Sequence, residues 1–238
     1  MDEPHIQPRP KLISCRVMID ELRPFLPPGI ETEVFEISLH THPNKLRERL
    51  QQAIDASDGR YDPICLGYGM CAKATVGLVA QKSRLVAPKA DDCIEMFLGS
   101  RRARLVELTR EPGTYFLTRG YIGDGASMIF SDYEHSVAKF GKEKADKLLR
   151  LMMQHYKRLV YIRMPQGESM DGALEGDRAY ARQVAERFQM NYVEVEGVVD
   201  WIGRLIADDW GDDFVVTTPG QPIETHHFLP APPAKAAP

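Results

Sequence analysis

Three of the four cysteines, Cys15, Cys71 and Cys93, stand where an apolar, strand-like run gives way to a loop or helix. The runs are Lys11 to Ser14, Pro63 to Met70, and Leu85 to Pro88, the last followed by Lys89-Ala90-Asp91-Asp92. A fourth run, Glu33 to Leu39, ends at His40. In an open α/β sheet, ligands bind beyond the carboxyl ends of the strands, so soft thiolates and an imidazole delivered there point to a metal or cluster site. Three thiolates without a regular fourth suit an iron–sulfur cluster with one iron left open, or a zinc ion with one open position. Cys65 lies inside its run between Ile64 and Leu66 and reads as a small core hydrophobe.

Several neighbours could complete such a site. Gly67 and Gly69 would bring bare backbone close to whatever Cys71 holds, and Gly99 with Ser100 could do the same one helix later. Cys93 stands beside an expected helix start, a setting that stabilises anionic sulfur. Asp91 and Asp92 read as caps of that helix, with Asp92 the candidate general acid or base. His40 is preferred to His42 because it directly continues its strand; its plainer reading is a polar residue capping the next helix. Tyr115, Thr118 and Tyr121 could present hydroxyls from an extended segment, with Tyr115 and Tyr121 on one face; half-buried strand aromatics are the plainer account.

The chain has 238 residues, 43% of them apolar, enough for a substantial core. Lys plus Arg number 30 against 34 Asp plus Glu, a net charge of −4, which gives no general drive toward nucleic acid or anionic membranes. The start lacks the apolar core of a signal peptide, and no run approaches the roughly 20 apolar residues of a membrane span. A cytoplasmic protein is expected, acting on a small molecule, with homo-oligomerisation left open. Four cysteines in a chain of this length suggest metal binding, catalysis or burial rather than a disulfide framework.

The elements that must position these residues alternate. Strands end at Cys15, His40, Met70 and Pro88. Helices are expected over Ile19 to Phe25, after Asn44 with Leu46, Leu50, Ala53 and Ile54 at helical spacing, over Thr75 to Gln81, and at Cys93. Gly113 to Tyr121 reads as extended, and with the glycines up to Ser127 it forms a candidate lid, 113–128. Beyond it come a helix over Lys142 to Lys157, a strand over Arg158 to Met164, a helix over Ala173 to Phe188, a strand over Tyr192 to Val198, a helix over Trp201 to Ala207 and a strand over Asp213 to Thr217. This rhythm implies an α/β fold with a mainly parallel, Rossmann-like sheet and helices on both faces. One domain spans 11–220, divisible into lobes 11–110 and 130–220, with tails 1–10 and 229–238 lacking anything to pack.

The stretch Leu66-Gly67-Tyr68-Gly69-Met70-Cys71, then Val76-Gly77-Leu78, and Asp92-Cys93-Ile94 with Leu98-Gly99-Ser100 resemble the proteins grouped as domain of unknown function 1638, found in bacteria and methanogenic archaea. Leu39-His40 with Pro43 and Leu46, Gly113-Thr114-Tyr115 with Leu117-Thr118 and Gly120, and Lys139-Phe140-Gly141 with Ala145 and Tyr156 continue the likeness from about residue 11 to 220. Ala72-Lys73 and Tyr121 depart from the family pattern, which has a small residue and Asn, and Trp, at those places. The resemblance implies a common site at Cys15, His40, Cys71 and Cys93. In layout the chain is also similar to small α/β desulfidases in which three cysteines hold a [4Fe–4S] cluster.

Three functions are consistent with these residues. The first is a metalloenzyme whose Cys15, Cys71 and Cys93 hold a [4Fe–4S] cluster, with the open iron a Lewis acid and His40 and Asp92 close by. The second gives the same ligands zinc, in one-carbon or corrinoid-linked methyl transfer. The third is a non-catalytic binding protein for a cluster, haem or corrinoid.

Overall fold

The computed structural model describes residues 9–123, 128–165 and 171–229. Along the chain the elements are β1 (Lys11–Cys15), α1 (Arg16–Leu22), β2 (Glu31–Phe35), α2 (Pro43–Ser57), β3 (Ile64–Gly67), β4 (Leu85–Pro88), α3 (Cys93–Phe97), α4 (Arg101–Arg110), β5 (Thr114–Leu117) and α5 (Arg119–Ile122). They continue as α6 (Met128–Phe140), α7 (Lys142–Met153), β6 (Arg158–Arg163), α8 (Asp171–Arg187), β7 (Asn191–Glu196), α9 (Asp200–Ile206) and β8 (Phe214–Thr217). The mixed α/β class expected from the sequence is the one observed.

The strands form two sheets. The larger has the order β2-β1-β3-β4-β8, parallel except for β8, and the smaller is β5-β6-β7, all parallel. Strands β1, β3 and β4 are buried along their whole length, as their continuous apolar runs require of central parallel strands. Period-two alternation along β6 joins the halves: Val160 and Ile162 enter the first core, whereas Leu159 and Tyr161 enter the second, beneath α7 and α8. On α2, Leu46, Leu50, Ala53 and Ile54 are buried at their helical spacing.

Some expected boundaries move. Strand β2 stops at Phe35, and Ile37–Thr41 is a 3-10 turn, so His40 does not continue a strand. Thr75 to Gln81 is a succession of turns rather than a helix; the Gly77 N–H is drawn to the Ile223 carbonyl at 2.7 Å. The extended reading of 113–121 holds only for β5, which pairs with β6; Tyr121 lies on α5, so it does not share a strand face with Tyr115. Residues 124–127 of the expected lid lie outside the described residues, as do 1–8 and 230–238 of the expected tails.

Helix α1 packs on α5. Gly120 is pressed against the Val17 carbonyl so closely that a β-carbon would overlap it, and its N–H donates to the Glu21 carboxylate at 2.8 Å. Glu21 is buried, and burial raises its pKa to about 7 despite the Gly120 N–H; Asp177 adds to the rise and Arg119 opposes it. The folded chain therefore holds this proton more tightly than the unfolded chain does. The resulting stability is complete below the ordinary glutamate range and lost as pH rises through about 7. Glu21→Gln keeps a carbonyl acceptor for Gly120. It should flatten the fall between pH 4.5 and 7 and, at pH 8, stabilise the chain relative to wild type by about 2–3 kcal/mol in urea unfolding.

Candidate thiol site

The parallel register of β1, β3 and β4 sends their carboxyl ends to one side of the larger sheet. Cys15 closes β1 and stands at the N-cap position of α1 without a side-chain cap bond; the backbone N–H groups of Met18 and Val17 oppose the rise of its pKa. Beyond β3 the chain stays tied to the segment after β4: the Met70 N–H donates to Ala90 O at 2.7 Å and the Cys71 N–H to Asp91 O at 2.9 Å. Asp92 then caps α3 by accepting from the Glu95 N–H at 3.1 Å, which places Cys93 at the first helical position. The three thiols are buried and act on one another: Cys71 feels Cys93 and Cys15, and Cys93 feels Cys15. Cys65 stands apart, its S–H donating to the Leu205 carbonyl at 3.4 Å inside the core.

Cys71, Ala72 and Lys73 are three consecutive non-glycine residues in the left-handed region, with φ of 45°, 54° and 66°. A β-carbon makes this conformation cost roughly 1–2 kcal/mol per residue, so the surrounding bonds must hold the turn that presents Cys71. Lys73 is exposed, and its carbonyl accepts from the Arg47 guanidinium at 2.7 Å and from the Val76 N–H at 3.2 Å. Lys73→Gly should thus stabilise the chain by about 1 kcal/mol in urea unfolding.

Two phenols reach the thiols. Tyr121 on α5 lies with its hydroxyl 3.1 Å from Cys93 Sγ. Tyr68, 1% exposed, sits within the electrostatic reach of Cys15 and Cys71, and its ring stacks on His40 with centroids 5.9 Å apart. His40 therefore adjoins the site through Tyr68; its Nδ1 faces the Ile37 carbonyl at 3.1 Å, and burial lowers its pKa, favouring the neutral ring. Tyr68 was not singled out as a site residue in the sequence. Its signal there is a phenol set between Gly67 and Gly69 just ahead of Cys71.

Other expected site residues have local duties. Asp92 pairs with Arg104 at 2.8 Å besides capping α3, and Asp91 pairs with Arg101 at 2.5 Å, which ties both arginines of the start of α4 to the segment before α3. A β-carbon on Gly67 would strike the Ser14 side chain, and one on Gly69 the Ala90 carbonyl, so their close approach is to neighbouring chain segments. Gly99 has φ of 84° beside Val198, and Ser100 caps α4 by accepting from the Ala103 N–H at 3.1 Å. Tyr115 packs edge-to-face on Tyr156 in the second core. A cavity of about 500 Å³ lies behind α3, lined in part by Met96, Trp201, Phe214 and Phe228, with none of the cysteines in its wall.

Among the described residues, no three His, Cys, Asp or Glu side chains stand in an arrangement that could hold a metal ion as placed. Among these residues, too, no helix is long and apolar enough to cross a membrane.

Burial is the largest influence on all three thiols. It pushes Cys15 up to about 12 and raises Cys71 and Cys93 above the ordinary thiol range, with Asp20 and Asp92 adding to the rise. A nucleophilic or redox-active cysteine needs the opposite shift. Because the folded chain binds these protons more tightly than the unfolded one, their stability is complete below the ordinary thiol pKa of about 8.5 and declines as pH rises through it. The urea midpoint of the metal-free chain should fall from about pH 9 upward, and less steeply in Cys15→Ala. Equal slopes would show that Cys15 is not desolvated.

Fold and site together define a mainly parallel α/β protein with three buried thiols at the carboxyl ends of its strands. The chain belongs to the family described as protein of unknown function DUF1638, whose model matches residues 34–206. That span includes His40, Tyr68, Cys71 and Cys93, and Cys15 precedes it. No curated protein and no solved structure matches the chain.

Proposed function

We propose that this chain is a cytoplasmic metalloenzyme acting on a small molecule, in which Cys15, Cys71 and Cys93 hold a [4Fe–4S] cluster. The observation that carries the reading is the delivery of three buried thiols, close enough to act on one another electrostatically, to one sheet end. Backbone N–H groups of Met18 and Val17 near Cys15, and of Gly69 near Cys71, oppose the rise of the thiol pKa, and the Tyr121 hydroxyl lies 3.1 Å from Cys93 Sγ, where it can donate. Such donors stabilise anionic sulfur. The charged groups raising these pKa values are acidic, so the thiolates need a cationic group to form, and binding it releases their protons.

A cubane takes each thiolate on a different iron, so its ligands stand farther apart than those of one zinc. With three protein ligands, the cluster when bound supplies one open iron as a Lewis acid toward a sulfur, oxygen or methyl-bearing substrate. Around it, Tyr121 holds Cys93, and Asp92 carries negative charge to the edge of the site while Arg104 fixes its orientation. Four free cysteines suit the reducing cytosol.

Purification without oxygen, followed by iron and acid-labile sulfide analysis, tests this reading. About four of each per chain are expected, with broad visible absorbance. Cys71→Ala should lose the iron yet stay folded, and Cys65→Ala should keep it. A colourless chain carrying about one zinc would overturn the cluster in favour of zinc-assisted chemistry. Tight cluster binding without turnover of any sulfur- or methyl-bearing compound would favour a binding protein.

A further inference from the structure

Tyr68 stands out because packing alone does not account for its hydroxyl. The side chain is 1% exposed, and the hydroxyl is buried without a hydrogen-bond partner. Leaving such a group unmet costs about 1–3 kcal/mol. Phenylalanine would fill the same space and stack on His40 without that cost. Tyr121, the other phenol of the site, has a partner in Cys93 Sγ at 3.1 Å. The groups acting on Tyr68 are the thiols of Cys15 and Cys71, two of the three proposed ligands.

We infer that the Tyr68 hydroxyl is a hydrogen-bond donor to the sulfur of the group that Cys15 and Cys71 hold, a bond completed only when that group is in place. This rests on the cluster reading above and assigns Tyr68 a positioning role. A donor to cluster sulfur stabilises the more negative, reduced state and so raises the reduction potential. It also ties the cluster to β3, as outer-shell partners do for metal ligands. The stacked His40 ring, itself bonded to Ile37 O, keeps the phenol aimed.

Tyr68→Phe tests the assignment in the full chain, metal-free and after anaerobic reconstitution with iron and sulfide. Metal-free, the variant should be as stable as wild type or more so, because an unmet hydroxyl is removed. Loaded, it should have a lower reduction potential and release iron to a chelator roughly tenfold faster. Tyr121→Phe should instead weaken the metal-free chain. A loaded Tyr68→Phe chain with wild-type potential and release rate would overturn the role of Tyr68 alone. A metal-free Tyr68→Phe chain less stable than wild type, or unable to fold, would overturn it as well, because the hydroxyl would then have a partner within the chain. Wild type that takes up no iron would overturn both this inference and the cluster reading.

Discussion

Desolvation of sulfur is the constraint around which the site is built. Cys15, Cys71 and Cys93 are removed from water at one end of a parallel sheet, and the carboxylates of Asp20 and Asp92 add to the rise of their pKa values. Under that constraint thiolate is suppressed at neutral pH, which suits the proposed ligands, whose sulfurs ionise when a positive group arrives. Parallel topology is what makes the convergence cheap to encode: each strand leaves the sheet on the same side, so three separate loops meet without a long excursion by any of them.

The rest of the fold holds that convergence in place. Helix α1 leaves directly from Cys15 and packs on α5, where Gly120 and Glu21 close the contact and the next residue, Tyr121, reaches Cys93. The smaller sheet is therefore tied to the thiols through α5 as well as through the shared face of β6. The left-handed turn at Cys71 to Lys73 is anchored on one side by bonds to Ala90 and Asp91 and on the other by Arg47. Strain of this kind persists where surrounding contacts over-determine the backbone, and here it sets the direction of a proposed ligand.

Much of this was legible in the sequence, for physical reasons that also mark where legibility ends. Strand ends at Cys15 and Pro88 are readable because a run buried on both faces is continuously apolar and stops abruptly. His40 was misplaced because Glu36-Ile37-Ser38-Leu39 alternates as a strand does, although the chain turns after Phe35. The turn at Cys71 has no glycine or asparagine to announce positive φ. Separation into two sheets escaped because apolar periodicity reports burial and leaves strand pairing open; β6, buried on both faces, serves two cores at once. Tyr68 escaped because an aromatic at the end of an apolar run looks like core, and only the environment of its hydroxyl distinguishes it.

Cys65 sharpens the case as an internal comparison. Burial pushes its thiol up to about 12, the same as Cys15, so desolvation does not by itself separate a ligand from a core residue. Hydrogen-bond polarity does. Cys65 faces the Leu205 carbonyl, an acceptor that requires the sulfur to keep its proton, and so it is set to remain neutral. Backbone N–H groups oppose the pKa rise at Cys15 and Cys71, and Cys93 lies beside a phenol that can donate. Three sulfurs near groups that can donate and one presented to an acceptor set Cys65 apart, a division that suits the proposed ligand role of the other three. The division coincides with strand end against strand interior, which links the topology of the sheet to the chemistry its ends can support.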